Sequence, residues 1–409
     1  MTSKLEELIA ELCPNGVEYK KIGDIATLSR GKVMSKSFIN DNSGEYPVYS
    51  SQTENNGQFG AISTYMFDGK YVTWTTDGAN AGTVFYRDGK FNVTNVCGVI
   101  DISDCQVDTK YVYYALTIHA KNYVSSGMGN AKLMSNVMSK VTIPIPPLEV
   151  QSEIVRILDT FTEFTAELTA ELTARKKQYG YYRDTLLTFD DNNPIHSLIS
   201  RYCPNGVEYK NLKELGSFFG GLTGKNKNDF VDGNARYITY KNVYCNAAVD
   251  FSANDFVKVS DGEKQNVLQY GDVIFTGSSE TPDECGFSSA VTCHLNEEVY
   301  LNSFCFAFRF NDVSVMNPDF SKYLFRSTAL RSQIKRTANG VTRFNVSKAL
   351  MGKVTIPVPP LEVQRQIVQI LDRFDALCND LTQGLPAEIE ARRKQYEYYR
   401  DQLLTFKRA

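Results

Sequence analysis

The chain has 409 residues, 42% of them hydrophobic and 22% charged, the composition of a folded protein large enough for two or three domains. Its net charge of −3 excludes nucleic-acid binding through overall positive charge, so any such contact must come from local basic patches. No run of about 18 apolar residues predicts a membrane span, and the acidic first twelve positions are unlike a signal peptide, so we expect a cytoplasmic protein.

The first module, residues 1–147, alternates short strand-like runs with turns and favours a mixed α+β fold. Strands are predicted at 71–75 and 82–86, where β-branched and aromatic residues concentrate. Asp77–Gly78 and Asp88–Gly89 predict turns, and a helix is predicted around Lys110–Val124.

A long helix is predicted over residues 148–192, after the first Pro-Pro pair. Apolar residues recur there at alternating spacings of three and four, which is typical of a coiled-coil seam. The segment Leu148–Phe189 would be about 63 Å long if continuous. One extra four-residue step, a stutter, coincides with a tandem Thr-Ala-Glu-Leu unit at Thr165–Leu168 and Thr169–Leu172. Gaining or losing one unit would change the helix length by about 6 Å, so the helix could act as an adjustable spacer.

The second module, residues 193–360, starts with a second copy of an earlier segment. Cys13–Lys20 recurs at Cys203–Lys210, although the rest of the module differs greatly from the first. A strand is predicted at 272–276, a turn at Asp261–Gly262 and a helix over Phe320–Thr337. The framework is therefore duplicated, while the parts that could touch a ligand have diverged.

A second long helix is predicted over residues 361–409, and it also repeats the first half of the chain. Gly384–Pro386 should kink or break it, because proline removes a helical hydrogen bond. Matching seams favour two helices that pack antiparallel with pseudo-two-fold symmetry, and two unrelated surface helices are the alternative. The repeated segments are Val141–Gln151 with Val354–Gln364, and Gln178–Phe189 with Gln395–Phe406.

Two basic runs without any Asp or Glu, residues 109–148 and 320–361, favour contact with DNA phosphates. A solvated face is the alternative for either run alone. The loop after each predicted helix combines a basic residue with glycine or asparagine and could approach a DNA backbone closely. The residues are Gly127, Gly129 and Lys132 in one loop and Asn339, Gly340 and Arg343 in the other. The candidate DNA-binding residues are Lys32, Lys36, Lys132, Lys225, Lys227, Arg236, Lys241, Arg336 and Arg343.

The sequence predicts neither a catalytic site nor a metal site. Gly220–Lys225 fails the spacing of a phosphate-binding loop, both Pro-Pro pairs lack the signature of amino-methyltransferases, and the three histidines have no triad context. Nine cysteines without a Cys-x-x-Cys pair indicate reduced thiols. The one group that suggests zinc has no recognised zinc spacing and consists of Cys285, Cys293, His294 and Cys305.

These features resemble the specificity (S) subunit of Type I restriction-modification systems, and the resemblance covers the whole chain. Its most specific parts are the Ile-Pro-x-Pro-Pro-Leu-Glu-Val-Gln segments ending at Gln151 and Gln364. The Tyr-x-Tyr-Tyr-Arg-Asp-x-Leu-Leu-Thr-Phe segments ending at Phe189 and Phe406 are equally specific, and the Thr-Ala-Glu-Leu repeat looks like the variable spacer of that family.

The resemblance implies that each module is a target-recognition domain that reads one half of a split sequence in double-stranded DNA. The helices would set the gap and dock two methyltransferase subunits that bring S-adenosylmethionine, and restriction subunits would join them. Magnesium and ATP are expected in the partner subunits. This chain is expected to contain no cofactor and no catalytic residue, although both methylation and restriction would require the chain. A coiled-coil scaffold that never binds DNA is the alternative, and a self-sufficient enzyme is a second. The predicted docking or spacer residues are Phe161, Leu168, Leu172, Tyr182, Phe374, Leu381 and Tyr399.

The family's N-terminal segment also completes a circular arrangement with its C-terminus. Leu8–Ile9 and Leu198–Ile199, each just before a Cys-Pro-Asn-Gly turn, fit that arrangement.

Overall fold

The computed structural model describes residues 3–125, 130–380 and 382–409. The chain divides into two compact units, the first made of Met1–Thr169 with Glu388–Ala409 and the second of Ala170–Ala387. Each unit therefore combines one module with part of each long helical region. The first boundary falls inside the tandem Thr-Ala-Glu-Leu repeat. This partition differs from the predicted one into modules and spacer helices, whose bounds stay a prediction.

The α-helices range from single turns to one helix of 39 residues. No helix in the described part of the chain is long and apolar enough to cross a membrane. In chain order they are α1 (Ser3–Leu12), α2 (Ile22–Ile25), α3 (Lys36–Asp41), α4 (Thr109–His119), α5 (Ser135–Met138), α6 (Leu148–Leu186), α7 (His196–Tyr202), α8 (Leu212–Leu215), α9 (Tyr240–Cys245), α10 (Pro318–Leu324), α11 (Thr328–Lys335), α12 (Lys348–Met351), α13 (Leu361–Asn379) and α14 (Leu385–Leu403).

The helix α6 confirms the first long helix, but it ends six residues before the predicted end at residue 192. The buried side chain of Asn193 explains this end. Its amide donates hydrogen bonds to the carbonyl oxygens of Thr185 (3.2 Å), Leu186 (3.0 Å) and Thr188 (2.7 Å), so it satisfies carbonyls that have no partner within the helix.

The second helical region is interrupted, as Gly384–Pro386 predicts. The helix α13 ends at Asn379, and Pro386 lies in the first turn of α14, where a helix needs no N–H donor. A β-carbon on Gly384 would lie 2.5 Å from the carbonyl oxygen of Ala376, so this position excludes a side chain.

The strands confirm most of the predicted ones. The turn predicted at Asp88–Gly89 is wrong: both residues lie inside a strand, where Gly89 pairs with Gly69 and both glycines have positive φ. In chain order the strands are β1 (Glu18–Lys21), β2 (Ala26–Arg30), β3 (Ser43–Tyr49), β4 (Gln58–Ile62), β5 (Phe67–Thr75), β6 (Val84–Val93), β7 (Cys97–Ile102), β8 (Thr142–Ile145), β9 (Tyr209–Asn211), β10 (Gly216–Gly220), β11 (Ala235–Ile238), β12 (Phe256–Val257), β13 (Val273–Thr276), β14 (Ser278–Ser279), β15 (Ser288–Ala290), β16 (Val299–Leu301), β17 (Cys305–Phe310), β18 (Ala338–Asn339), β19 (Phe344–Val346) and β20 (Thr355–Pro357).

Both modules are built on the same arrangement of four antiparallel strands. The order is β2-β7-β5-β6 in the first unit and β10-β17-β13-β15 in the second. In the first unit β3 and β4 extend the sheet to six strands, whereas the second unit adds separate sheets β12-β11-β16 and β14-β19-β18. Helices predicted after these strands are present, α4 in the first unit and the pair α10 and α11 in the second.

The repeated sequence segments close each module. The strand β1 pairs with β8, so Tyr19 lies opposite Pro144, and β9 pairs with β20, so Tyr209 lies opposite Pro357. In each case a strand from the start of a module meets a strand from its end, just before a long helix begins. The duplicated residues therefore form the frame of the module and leave its loops free to differ.

A fully buried glutamine joins each module to the helix that follows it. The amide of Gln151 in α6 donates to the carbonyl oxygens of Gln106 (2.9 Å) and Pro146 (2.7 Å) and accepts from the backbone N–H of Asp108 (2.8 Å). Gln364 in α13 makes the same three bonds, to Val315 (3.0 Å), Pro359 (2.7 Å) and Asn317 (2.7 Å). Burial of these amides is tolerated because the nitrogen donates two hydrogen bonds and the oxygen accepts one in each glutamine.

An aspartate on each long helix holds a helix of the module. Asp159 in α6 accepts from the ammonium of Lys110 (2.7 Å) and the hydroxyl of Tyr114 (2.6 Å), both on α4. In the second unit the equivalent carboxylate and donors are Asp372 with Lys322 (3.0 Å) and Tyr323 (2.5 Å). The two modules therefore share their attachment to the helices as well as their strand order.

Within each unit the two helical regions pack antiparallel, as predicted. In the first unit Phe161 stacks on Tyr399, with ring centroids 5.4 Å apart, and the guanidinium of Arg392 lies 5.1 Å from the ring of Phe164. Later positions of α6 thus meet earlier positions of α14. The stacked pair of the second unit is Tyr182 with Phe374, at 5.1 Å.

The two ends of the chain meet inside the first unit. The backbone N–H of Val17 donates to the carbonyl of Lys407 (2.9 Å), and the hydroxyl of Tyr19 donates to the carbonyl of Phe406 (2.7 Å). Leu8 and Ile9 pack against the core that contains Leu403 and Leu404. The first unit is therefore assembled from segments far apart in sequence.

Candidate nucleic-acid interface

One end of each four-stranded sheet collects the loops that carry several of the candidate basic residues. In the second unit this is where β13 finishes and β17 begins, because Thr276 pairs with Cys305. The equivalent end in the first unit is where Thr75 pairs with Cys97. We call these positions the loop ends of the two modules. Since the strand orders match, the loop ends come from corresponding parts of the two repeats.

An open cavity of about 970 Å³ lies at the loop end of the second module. Its wall is formed by Tyr240 and Tyr244 of α9, residues 278–281 with Glu284, Phe304, and the loop 341–343. The rings of Tyr240 and Tyr244 are nearly parallel, with centroids 6.2 Å apart. Aromatic faces and polar side chains thus converge on one concave surface.

The carboxylate of Glu284, on this wall, accepts hydrogen bonds from neighbouring side chains of the protein. Glu284 accepts from the hydroxyls of Tyr244 (2.8 Å), Ser279 (3.1 Å) and Thr281 (2.9 Å). These bonds, the one from Tyr244 first, lower the pKa of Glu284, and the same bond raises the pKa of Tyr244. We infer that Glu284 orders the wall of the cavity.

Arg343 is oriented by its neighbours but not neutralised. Its guanidinium donates to the hydroxyl of Ser278 from Nη2 (3.0 Å) and Nε (3.3 Å) and lies 5.6 Å from the ring centroid of Phe304. In the part of the chain that the structure describes, Arg343 forms no ion pair. An exposed guanidinium held in this way can donate to acceptors on a ligand.

Two other candidates are engaged inside the fold. Lys225 is 9% exposed and contacts the carboxylate of Glu263 at 2.6 Å, which lowers the pKa of Glu263 to about 2. Arg236 in β11 pairs with Glu297 at 2.8 Å and also donates to two backbone carbonyls. Contact of either residue with DNA stays a prediction, and both already bind partners within the second unit.

The remaining candidates of the second module are exposed. Lys227 begins a short 3-10 helix, Lys241 follows Tyr240 in α9, and Arg336 comes directly after α11. Of these, Lys241 is next to a residue of the cavity wall.

The first module brings two of its three candidates to its loop end. Lys32 forms a β-bridge with Thr94, and Lys132 forms bridges with Asp77 and Ser125, so both exposed lysines lie on loops at this end. Lys36 is also exposed, at the start of α3, with its ammonium 5.9 Å from the ring centroid of Phe59. Gly127 and Gly129 lie outside the described residues.

The basic run over residues 320–361 is not one continuous patch. Lys322 and Lys335 form ion pairs with Asp372 and Asp283, while the guanidinium groups of Arg326 and Arg331 donate to backbone carbonyls within the unit. The exposed basic residues of the run that form no ion pair among the described residues are Arg336, Arg343, Lys348 and Lys353.

The sequence did not single out the aromatic residues and the glutamate of the cavity. Tyr240 and Tyr244 lie four residues apart, which is the spacing of one helical face, and this was the only available signal. Phe304 and Glu284 reach the cavity through tertiary packing, so no local pattern marks them.

Four of the predicted docking or spacer residues form two stacked aromatic pairs, Phe161 with Tyr399 and Tyr182 with Phe374. The other three are leucines. Leu168 is buried, Leu172 is half-buried, and Leu381 lies outside the described residues. The most exposed aromatic residues of the two long helices are Tyr181 and Tyr398, which occupy equivalent positions in the repeat and were not predicted.

Within residues 3–125, 130–380 and 382–409, no group of three or more His, Cys, Asp or Glu side chains could hold a metal ion. The nine cysteines are free thiols, among them Cys285 and Cys305, which are buried, and Cys293, which is exposed.

A family model described as Type I restriction modification DNA specificity domain matches the chain twice, over residues 14–175 and 204–391. The specificity subunit of the type I restriction enzymes EcoR124I/EcoR124II of Escherichia coli is 32% identical over 409 residues, which cover 95% of this chain and 89% of that protein. A Mycoplasma pneumoniae protein named as a type I specificity subunit is 32% identical over 399 residues, covering 94% of this chain and 96% of the other.

Solved structures show the same fold at low sequence identity. The S subunit of a type I restriction-modification system from M. genitalium matches with a TM-score of 0.54 at 15% identity, over 96% of this chain and 97% of that chain. A chain from a structure of the assembly and conformational transition of the type I restriction-modification system matches with a TM-score of 0.60, also at 15% identity, over 96% and 98%.

Proposed function

Because this chain belongs to the family of type I restriction-modification specificity subunits, we propose that it selects the DNA target of such a complex and that each module reads one half of a bipartite sequence. The observation that carries the proposal is the pair of matching four-stranded sheets whose loop ends carry different side chains. A matching four-strand frame with different loops suits two modules that read different short sequences. Exposed lysine and arginine at these loops can contact phosphates and base edges.

The long helices are proposed to set the gap between the half-targets and to dock two methyltransferase subunits. The repeat supports this role, because Tyr181 and Tyr398 expose the same aromatic side chain at equivalent positions of the two helix ends. Two identical partners could each use one copy. S-adenosylmethionine would then enter with the methyltransferase subunits and magnesium and ATP with restriction subunits, and this chain would be a non-catalytic subunit.

The test is a methylation map of cells that express this chain with its methyltransferase subunit. We expect N6-methyladenine in a motif of two short specific parts separated by several unread base pairs. An uninterrupted motif would contradict bipartite reading. If the map shows no methylation and the assembled complex fails to retard DNA in a gel, the chain is a scaffold that does not bind DNA.

The purified chain alone is the control for the non-catalytic role. Methyl transfer or DNA cleavage by the chain without partners would make it an enzyme in its own right.

A further inference from the structure

A short β-hairpin stands at the cavity of the second module. The strands β18 and β19 pair antiparallel, with Asn339 opposite Asn345, and residues 340–343 form the tip. The strand β19 also pairs with β14, and the backbone N–H of Val346 donates to the carbonyl of Gly277 (2.9 Å). The base of the hairpin is therefore fixed to the end of the four-stranded sheet.

The tip is a tight turn that exposes its side chains. Gly340 has φ +148°, and a β-carbon there would lie 2.0 Å from the carbonyl oxygen of Arg343, so the turn requires glycine. Val341 is 91% exposed, although it is apolar. A tight turn that exposes a valine, two residues before an arginine without an ion pair among the described residues, suggests a surface that is covered when a ligand binds.

We infer that this hairpin enters the major groove of DNA and that Arg343 reads a guanine in the half-target of the second module. The inference rests on the proposed function. The major groove admits a two-stranded β-ribbon, and the commonest specific contact there is arginine to O6 and N7 of guanine. Arg343 is held by Ser278 and Phe304 and has no counter-ion among the described residues, so little ordering is needed on binding.

The other side chains at the cavity favour a base contact over a phosphate contact for Arg343. Glu280, exposed on the same cavity wall, would repel a phosphate, whereas a carboxylate can accept from the N4 amino group of cytosine. Val341 offers an apolar contact of the kind that the methyl group of thymine receives.

Phosphate contacts are expected at the base of the hairpin instead. Arg336 lies two residues before β18, and Lys348 lies two residues after β19, and both are exposed. Positive charges on both sides of a ribbon suit the two backbones that border a groove.

The test compares Arg343→Ala and Arg336→Ala in the complete complex with its methyltransferase subunits. For Arg343→Ala we expect the second half-motif to become degenerate at one position that is guanine for the wild type, and affinity for the wild-type target to fall about 5- to 150-fold. For Arg336→Ala we expect an unchanged motif and weaker binding to target and non-target DNA alike. The slope of log affinity against log salt should also become shallower by about one.

The matched control is Arg201→Ala. Arg201 is also exposed and lies 5.8 Å from an aromatic ring centroid, that of Tyr202, but it belongs to α7, away from the hairpin in sequence. This variant should keep both the motif and the affinity.

Arg343→Lys guards against misfolding, because it keeps the charge and loses the two-pronged donor. It should show the same degenerate position as Arg343→Ala. A second half-motif that stays intact in both Arg343 variants would overturn the inference and leave the proposed function standing. A wild-type complex without any bipartite motif would instead contradict the proposed function itself.

Discussion

At the scale of residues, the charged side chains discussed above form two groups. One group makes ion pairs or hydrogen bonds within its unit, and the other is exposed at the loop ends. Glu153 of α6 belongs to the first group. It is 3% exposed and contacts Arg156 at 2.6 Å and Lys4 of α1 at 3.1 Å. The hydrogen bond from Arg156 first, then the bond from Lys4, lower the pKa of Glu153 from 4.5 to about 2 despite its burial. This carboxylate therefore ties α1 to the long helix.

We expect Glu153→Gln to destabilise the first unit at neutral pH and to matter less in acid. A carboxyl group whose pKa is lower in the folded than in the unfolded chain stabilises the fold above its unfolded pKa. That contribution is lost as the pH falls from 4.5 towards about 2. Urea-unfolding midpoints of the wild type and the variant should therefore converge progressively as the pH falls from about 5 towards about 2.

The matched control is Glu163→Gln, which removes an exposed carboxylate from the same helix. A difference between wild type and Glu153→Gln that stays constant with pH would show that the ion cluster contributes nothing through charge.

Residue by residue, the sequence showed which side chains are basic but not which of them are available. Lys225 and Arg343 both follow a glycine-containing segment, and the sequence treats them alike. The difference is Glu263, 38 residues after Lys225, which the fold brings to 2.6 Å. Arg343 instead contacts Ser278 and Phe304, which also come from distant parts of the chain. Ion pairing over such separations leaves no local pattern.

At the scale of elements, α6 is one uninterrupted helix that contributes to both units, and the boundary between them falls in its tandem repeat. The periodic sequence made this helix predictable, because a long seam outweighs local preference. The pairing of Gly69 with Gly89 was not predictable, since Asp88–Gly89 alone has the pattern of a turn. Only the partner strand shows that this pair of positive-φ glycines belongs inside a hairpin.

Insertion of one further Thr-Ala-Glu-Leu unit after Leu172 should lengthen the gap and leave both half-motifs unchanged. Four residues add about 6 Å to a helix, close to two base-pair steps of about 3.4 Å. Methylation mapping measures the gap directly, and we expect one or two additional unread base pairs.

The same four residues inserted in the exposed turn at Asp261–Gly262 form the control, which should leave the gap as it is. A changed half-motif after the helix insertion would contradict the role of the helix as a spacer.

At the scale of the whole molecule, the repeated segments at the ends of the two helical regions contribute to the cores of different units. Leu187 belongs to the core of the second unit, and Leu404, its counterpart in the repeat, belongs to the core of the first. The matched pair allows the two units to be perturbed separately with the same chemical change.

We expect Leu404→Ala to destabilise the first unit and Leu187→Ala the second, each by about 2–5 kcal/mol, because both remove a buried leucine side chain. Hydrogen–deuterium exchange should then rise in Met1–Thr169 for the first variant and within Ala170–Ala387 for the second. Equal loss of protection in both units for either variant would show that they unfold as one.

The discontinuity of the first unit has a consequence for synthesis on the ribosome. Phe161 meets Tyr399 only after the whole of Ala170–Ala387 has been translated, which takes about 10–40 s at roughly 5–20 residues per second. The second unit has all of its own residues by the end of that interval, while the apolar face around Phe161 still has no Tyr399 to cover it. The nascent chain thus exposes an apolar surface throughout that interval. A chaperone, or another copy of the chain synthesised on the same messenger RNA, can bind this surface before Tyr399 is made.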